Sequence, residues 1–240
     1  PPNWTPPPPH LFSIHMRHIL AALIAPLLLA PALPAIAQAQ RPPIADASSL
    51  PDSEKTDIFI LATTHLAGID GATAEAAAPL LARLANWAPD GIAIERMPAR
   101  TIEALKNDPA FDGALDTFIG EGIPLGEAMQ AEIAISAFAA EDQIEQWSGS
   151  PESLNEGEAL MRLKTAVAAY QPETALLYWP FIGEAQIAGL APDVRDYLIR
   201  TETSSNERVL LALALARQLG HSRIWSIDSH ADKDLFGRYL

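Results

Sequence analysis

The sequence predicts an α/β domain, with a mostly parallel central sheet, flanking helices and an α-helical insertion. Three observations carry that expectation. Three short apolar runs, 57–63, 91–95 and 223–227, have the Ile-, Phe- and Trp-rich make-up of buried strands. Stretches with helical periodicity lie between the first two runs and just before the third. Each run delivers a histidine or a carboxylate where it ends: His65, Glu95 and Asp228. Strands joined through helices imply parallel pairing, and the carboxyl edge of such a sheet is where ligands and catalytic groups gather.

The domain begins after a leader. Residues 1–15 are Pro-rich and precede Met16, the first sensible start, so they read as mistranslated upstream sequence. From Met16 the chain has a basic start at Arg17, an apolar stretch from Ile19 to Ala35 and an Ala-x-Ala exit at Ala37 and Ala39. That pattern over 16–39 is a secretory signal peptide. Pro26, Pro31 and Pro34 argue against a stable membrane-spanning helix, so no membrane anchor is expected after cleavage. Residues 40–56 are polar and Pro-containing and read as a linker. The expected product is periplasmic or secreted. It has no cysteine, so no disulfide supplements its core.

The predicted domain covers 57–240. Strand one, 57–63, leads into a loop with Gly68 and Gly71. A helix over 72–88 puts Leu80, Leu81 and Leu84 on one face and is stopped by Pro89, Asp90 and Gly91. Strand two, 91–95, completes a β-α-β unit, which places His65 and Glu95 on one sheet edge. About 97–200 holds no strong strand signal and is rich in Ala, Glu and Leu, so it reads as the helical insertion of four or five helices. Trp147, Tyr170, Tyr178, Trp179 and Phe181 make its later part aromatic, either as core or as a pocket lining. Ser204 and Glu207 have capping-box spacing before an apolar helix over 205–219, which Gly220 terminates. Strand three, 223–227, follows. Leu240 comes without a closing strand, so the sheet is expected to be truncated at its C-terminal side.

The net charge is −14, and removing 1–39 takes away Arg17 alone, giving about −15. Such a surface repels nucleic acid and anionic lipid. Acidity alone selects no partner; the partner expected is a small-molecule or peptide substrate, with no nucleic acid.

The candidate catalytic residues are His65, Glu95, Glu207 and Asp228. The candidate ligands of a divalent metal of unspecified identity are His65, Glu95, Asp228 and His230. Imidazole with carboxylates suits zinc or manganese. Each has a plainer reading. His65 could be a loop histidine, Glu95 one half of a surface pair with Arg96, Glu207 a capping-box residue, and Asp228 the start of an Asx turn. Asn206 could donate to a substrate oxygen, and His221 could serve the helix C-terminus. There is no Gly-x-Ser-x-Gly elbow, His-Glu-x-x-His, P-loop or dinucleotide glycine motif, and no thiol for catalysis.

At these residues the chain resembles an uncharacterised bacterial family whose first strand carries a Gly-Thr-Phe-His-Phe-type motif. The matching positions are Ala62 to Leu66, then Ala93, Ile94 and Glu95, then Asn206 and Glu207, then Gln218 to His221, then Asp228. That family is related to the TraB/Tiki, ChaN-like and erythromycin-esterase-like superfamily. The resemblance covers 57–100 and 204–230. It implies a strand-borne histidine and a strand-end glutamate around a metal or catalytic centre. The implied activities are metal-dependent proteolysis, ester hydrolysis or haem and iron binding. Two departures stand out: Ala62 replaces the usual glycine, and a C-terminal strand with a Gly-x-Gly-His motif is missing. The leading expectation is a secreted metal-dependent hydrolase. The alternatives are a non-catalytic periplasmic haem- or iron-binding protein, or a degenerate scaffold.

Overall fold

The computed structural model describes residues 56–229. The chain divides into two units, Pro1–Phe59 and Ile60–Leu240, and only residues 56–59 of the first are described. The signal-peptide segment 16–39 and His230 lie outside the described residues.

The fold is helical, which corrects the expected α/β architecture. The described sheet has two parallel strands of two residues each, β1 (Ala93–Ile94) and β2 (Trp225–Ser226), in register Ala93 to Trp225 and Ile94 to Ser226. The other regular elements are helices. In order these are α1 (Ala74–Trp87), ahead of β1, then α2 (Ala99–Leu105), α3 (Asp112–Phe118), α4 (Gly122–Ile133) and α5 (Ala137–Glu145). Next come α6 (Glu156–Ala168), α7 (Pro172–Leu176), α8 (Glu184–Ala188) and α9 (Pro192–Glu202). A π-helix, Arg208–Leu213, then runs into α10 (Ala214–Leu219). The segment expected to be an insertion is thus the body of the fold.

The physical reason lies in alanine. Ala is the best helix former, and its small side chain lets helix backbones approach closely. Ala99, Ala140, Ala159, Ala166, Ala168, Ala169, Ala175 and Ala216 are fully buried, and α6 packs against α4, α5 and α7 at the centre of the core. Strand one fails for the opposite reason. Residues 57–63 have strand-like composition but form no strand among the described residues, and Ile58 and Ile60 stand 78% and 84% exposed. A strand is stabilised by what pairs with it and covers it, and intrinsic preference alone does not supply that.

Local signals set the helix ends. Thr73 caps α1 by accepting from the Ala76 N–H at 3.3 Å, and the helix ends in a left-handed residue, Ala88, before Pro89. Asn155 and Glu158 form a reciprocal capping box at the start of α6. The end of α6 is closed by Tyr170 in the left-handed region, φ +59°, while the Gln171 N–H reaches the Ala166 carbonyl at 2.9 Å. Tyr170 is itself buried against Gly126 of α4, where a Cβ would come within 2.4 Å of the tyrosine ring. That close approach explains a glycine inside a helix, where it otherwise destabilises.

No helix among the described residues is long and apolar enough to cross a membrane.

Candidate active-site cleft

The parallel ladder is short, but it continues past β1 and β2 in a way that builds a site. The Trp225 N–H donates to the Ile92 carbonyl at 2.8 Å, Ile227 to Ile94 at 3.2 Å, and Asp228 to Arg96 at 3.0 Å. The carboxyl ends of both strands therefore lie side by side, carrying Glu95 and Arg96 next to Asp228. The Asp228 side chain accepts from the Ser229 N–H at 2.7 Å, a local turn.

His65 reaches the same place without a strand. It precedes a single 3₁₀ turn, Leu66–Gly68, and its Nδ1 lies 3.1 Å from Glu207 Oε1. The Leu66 N–H donates to the other oxygen, Oε2, at 3.0 Å. One carboxylate thus holds both the imidazole and the backbone beside it. The spacing of Ser204 and Glu207 predicted a capping box, and that pairing is not made. Ser204 Oγ accepts from the Asn206 N–H at 3.2 Å, and Asn206 Oδ1 accepts from the Arg208 N–H at 2.8 Å. Glu207 is released from the helix end and turned towards His65. The helix beyond it opens as the π-helix, a form found disproportionately at functional sites.

Burial alone would raise the Glu207 pKa. The hydrogen bonds from its own backbone and from Leu66, and then the contact with His65, outweigh that effect, so the group is held below the ordinary carboxylate range. It is an anion at neutral pH. His65 is 83% exposed and available to solvent and ligand.

A cavity of about 220 Å³ joins these groups, lined by His65, Glu95, Glu207 and Asp228 together with Arg96 and Arg208. All four candidate catalytic residues therefore border one space. Glu95 is exposed and makes no hydrogen bond or ion pair among the described residues, so the expected surface pair with Arg96 does not form. Arg96 turns inward. Its Nε lies 2.7 Å from Glu173 Oε2, its Nη2 donates to Oε1 at 3.1 Å, and its Nη1 donates to the Tyr170 carbonyl at 3.3 Å. Glu173 also faces Arg208, with Nε at 3.5 Å from Oε1. Burial opposes the charge on both Arg96 and Glu173. Their mutual attraction, with help from Arg208 on the glutamate, wins, holding Glu173 below and Arg96 above their ordinary values.

A second cavity of about 360 Å³ opens beside the first and shares Arg96, Thr117, Ile119, Asn206 and Arg208 with it. The two form one cleft. Tyr197 and Arg200 line the second part, and Arg200 is taken up by Glu121 at 2.6 Å.

Sequence reasoning missed Arg96, Glu173, Arg208 and Tyr197. One signal was present: Glu173 is the single charge in a run of apolar and small residues from Pro172 to Gly183, and a lone charge there calls for a buried partner. The aromatic stretch sits mainly in the core. Tyr170 and Tyr178 are buried, and Trp147 meets Tyr178 edge-on with ring centres 5.4 Å apart.

Of the expected metal ligands, His230 lies outside the described residues; His65 Nδ1 contacts Glu207, and among the described residues no three His, Asp or Glu side chains stand close enough to hold a metal ion. His221 is placed by its backbone N–H, which closes α10 onto the Ala216 carbonyl at 2.9 Å, and Gly220 is the left-handed stop, φ +70°.

The chain matches no protein-family model, no curated protein and no solved structure.

Proposed function

We propose that this protein is an exported hydrolase of small ester or peptide substrates, with His65 as general base and Glu207 as the carboxylate that orients it. The observation that carries this is the anchored pair: imidazole Nδ1 at 3.1 Å from a carboxylate whose second oxygen is fixed by the Leu66 N–H. With Nδ1 donating to Glu207, Nε2 is the basic nitrogen, free to take a proton from water as the water oxygen attacks a carbonyl. The imidazolium so formed is stabilised by the Glu207 anion and returns its proton to the leaving group. Glu95 and Asp228 border the same cavity and are placed to orient the water or a polar end of the substrate. The resemblance to the TraB/Tiki and erythromycin-esterase-like superfamily points to the same chemistry. Export rests on the sequence pattern of 16–39.

The test is turnover of a panel of nitrophenyl esters and short peptides by the full chain, with and without added zinc or manganese and with chelator. His65→Ala and Glu207→Gln each lower kcat by about 100-fold or more. Turnover that both variants keep at the parent level overturns the assignment. Loss of turnover with chelator, recovered with metal, adds the metal that the superfamily resemblance implies.

A further inference from the structure

We propose that Arg208 is the specificity residue of the cleft and receives a free carboxylate on the substrate, so the substrates are acyl compounds ending in a carboxylate, as a peptide C-terminus does. This rests on the hydrolase reading only for the word substrate; the binding site itself stands apart from it. Three observations carry it. First, Glu173 is one carboxylate facing two guanidinium groups, Arg96 at 2.7 Å and Arg208 at 3.5 Å. It is 2% exposed and neutralises the buried Arg96, which leaves a positive excess centred on Arg208. Second, Arg208 Nε is held by Asn206 Oδ1 at 3.2 Å, while its two terminal nitrogens have no partner among the described residues. A guanidinium fixed at Nε presents its remaining fork in a set orientation, the geometry that takes a carboxylate through two parallel bonds. Third, Arg208 lines both cavities, so a carboxylate docked there leaves the rest of the molecule within the space that His65 and Glu207 border.

The other charges do not supply that partner. Arg200 on the same wall is already paired with Glu121. Asp116 lines the larger cavity but forms no ion pair with Arg208. Glu207 is committed to His65 and Leu66. Glu95 and Asp228 border the smaller cavity and would repel a carboxylate placed there, which directs the anion to Arg208 and towards the larger one.

The experiment is calorimetric titration of the full chain with N-acetyl-Ala-Ala and with its C-terminal amide, the two differing only in charge. The expected result is binding of the acid at least about tenfold tighter than the amide, a difference that Arg208→Gln removes and Arg208→Lys partly keeps. Because Arg208→Gln also alters a buried ion-pair cluster, Thr117→Glu serves as a second variant. Thr117 is exposed on the shared wall, and a carboxylate there repels the acid while leaving the Arg208–Glu173 contact intact. Equal affinity for acid and amide, no binding of either, or a preference that survives Arg208→Gln overturns the assignment. Acid preference without hydrolysis of any ester or peptide leaves the carboxylate site standing and removes the hydrolase; hydrolysis without acid preference does the reverse.

Discussion

Glu173→Gln is the most informative single change. The substitution keeps shape and volume and removes one negative charge from a side chain that is 2% exposed. The loss falls on two contacts of unequal weight. Arg96 is as buried as Glu173 and grips both its oxygens, at 2.7 and 3.1 Å, so it becomes an uncompensated cation in the core. Breaking one partner of such a pair costs about 3–5 kcal/mol. Arg208 is 28% exposed and 3.5 Å away, so water takes over much of its solvation and its share is about 1 kcal/mol or less. For a chain of this size each kcal/mol lowers the midpoint by roughly 2–4 °C, so the expected fall is on the order of 10 °C. Urea unfolding followed by circular dichroism measures it, with the double variant Arg96→Met, Glu173→Leu as the control. That variant removes both charges, so it should recover most of the loss. A loss below about 1 kcal/mol, or a double variant no more stable than the single one, refutes the account of Glu173 as the counter-ion of a buried arginine.

Other outcomes follow from the same contacts. Gly126→Ala pushes a methyl to 2.4 Å from the Tyr170 ring and 3.1 Å from the Val167 carbonyl, so it costs about 1–3 kcal/mol in denaturant unfolding although alanine favours helix. The folded-state pKa values of Glu173 and Glu207 lie below the ordinary 4.5, so their stabilisation is complete above that pH and is lost as pH falls through the folded values; stability measured from pH 7 to 3 should hold to about 4.5 and then drop, less steeply in Glu173→Gln. At the alkaline end, burial first and then the hydrogen bond to Glu103 push Tyr170 up to about 12, so spectrophotometric titration should find it silent at pH 10, with the fold losing support as pH rises from 10 towards 12. Glu207→Gln, by contrast, alters a contact whose His65 side is open to solvent and should change stability by about 1 kcal/mol or less while it removes turnover, which separates a positioning role from a structural one.

Which features were legible in the sequence follows from the range of the forces involved. The helix over 72–88 is α1, Ala74–Trp87, because Thr73 and Pro89 act locally. The strands at 91–95 and 223–227 do pair in parallel, as their run-and-break pattern implied, but over two residues each. The run at 57–63 has the same local character and forms no strand among the described residues, because local composition does not by itself set pairing. His65, Glu95 and Asp228 stood out because each follows or ends an apolar run, and with Glu207 they border one cavity. Arg96 was misread because sequence adjacency to Glu95 suggested a pair, whereas neighbours on an extended segment point to opposite sides, one out to the cleft and one into the core. Glu207 was ambiguous for a related reason: capping-box spacing is a local signal, and a partner 142 residues away overrode it.

The arginine–glutamate–arginine cluster has a consequence for how the cleft comes into being. Its three members arrive from the segment just after β1, from α7 and from the start of the π-helix, more than a hundred residues from first to last. Arg96 and Glu173 by themselves match one guanidinium with one carboxylate, a neutral arrangement. The unbalanced cation, and with it the anchor for His65, enters only when the segment from Asn206 docks. Contacts of such long range form late in folding, so a chain whose segment from Asn206 has not yet docked lacks both the Glu207 contact to His65 and the Arg208 contact to Glu173.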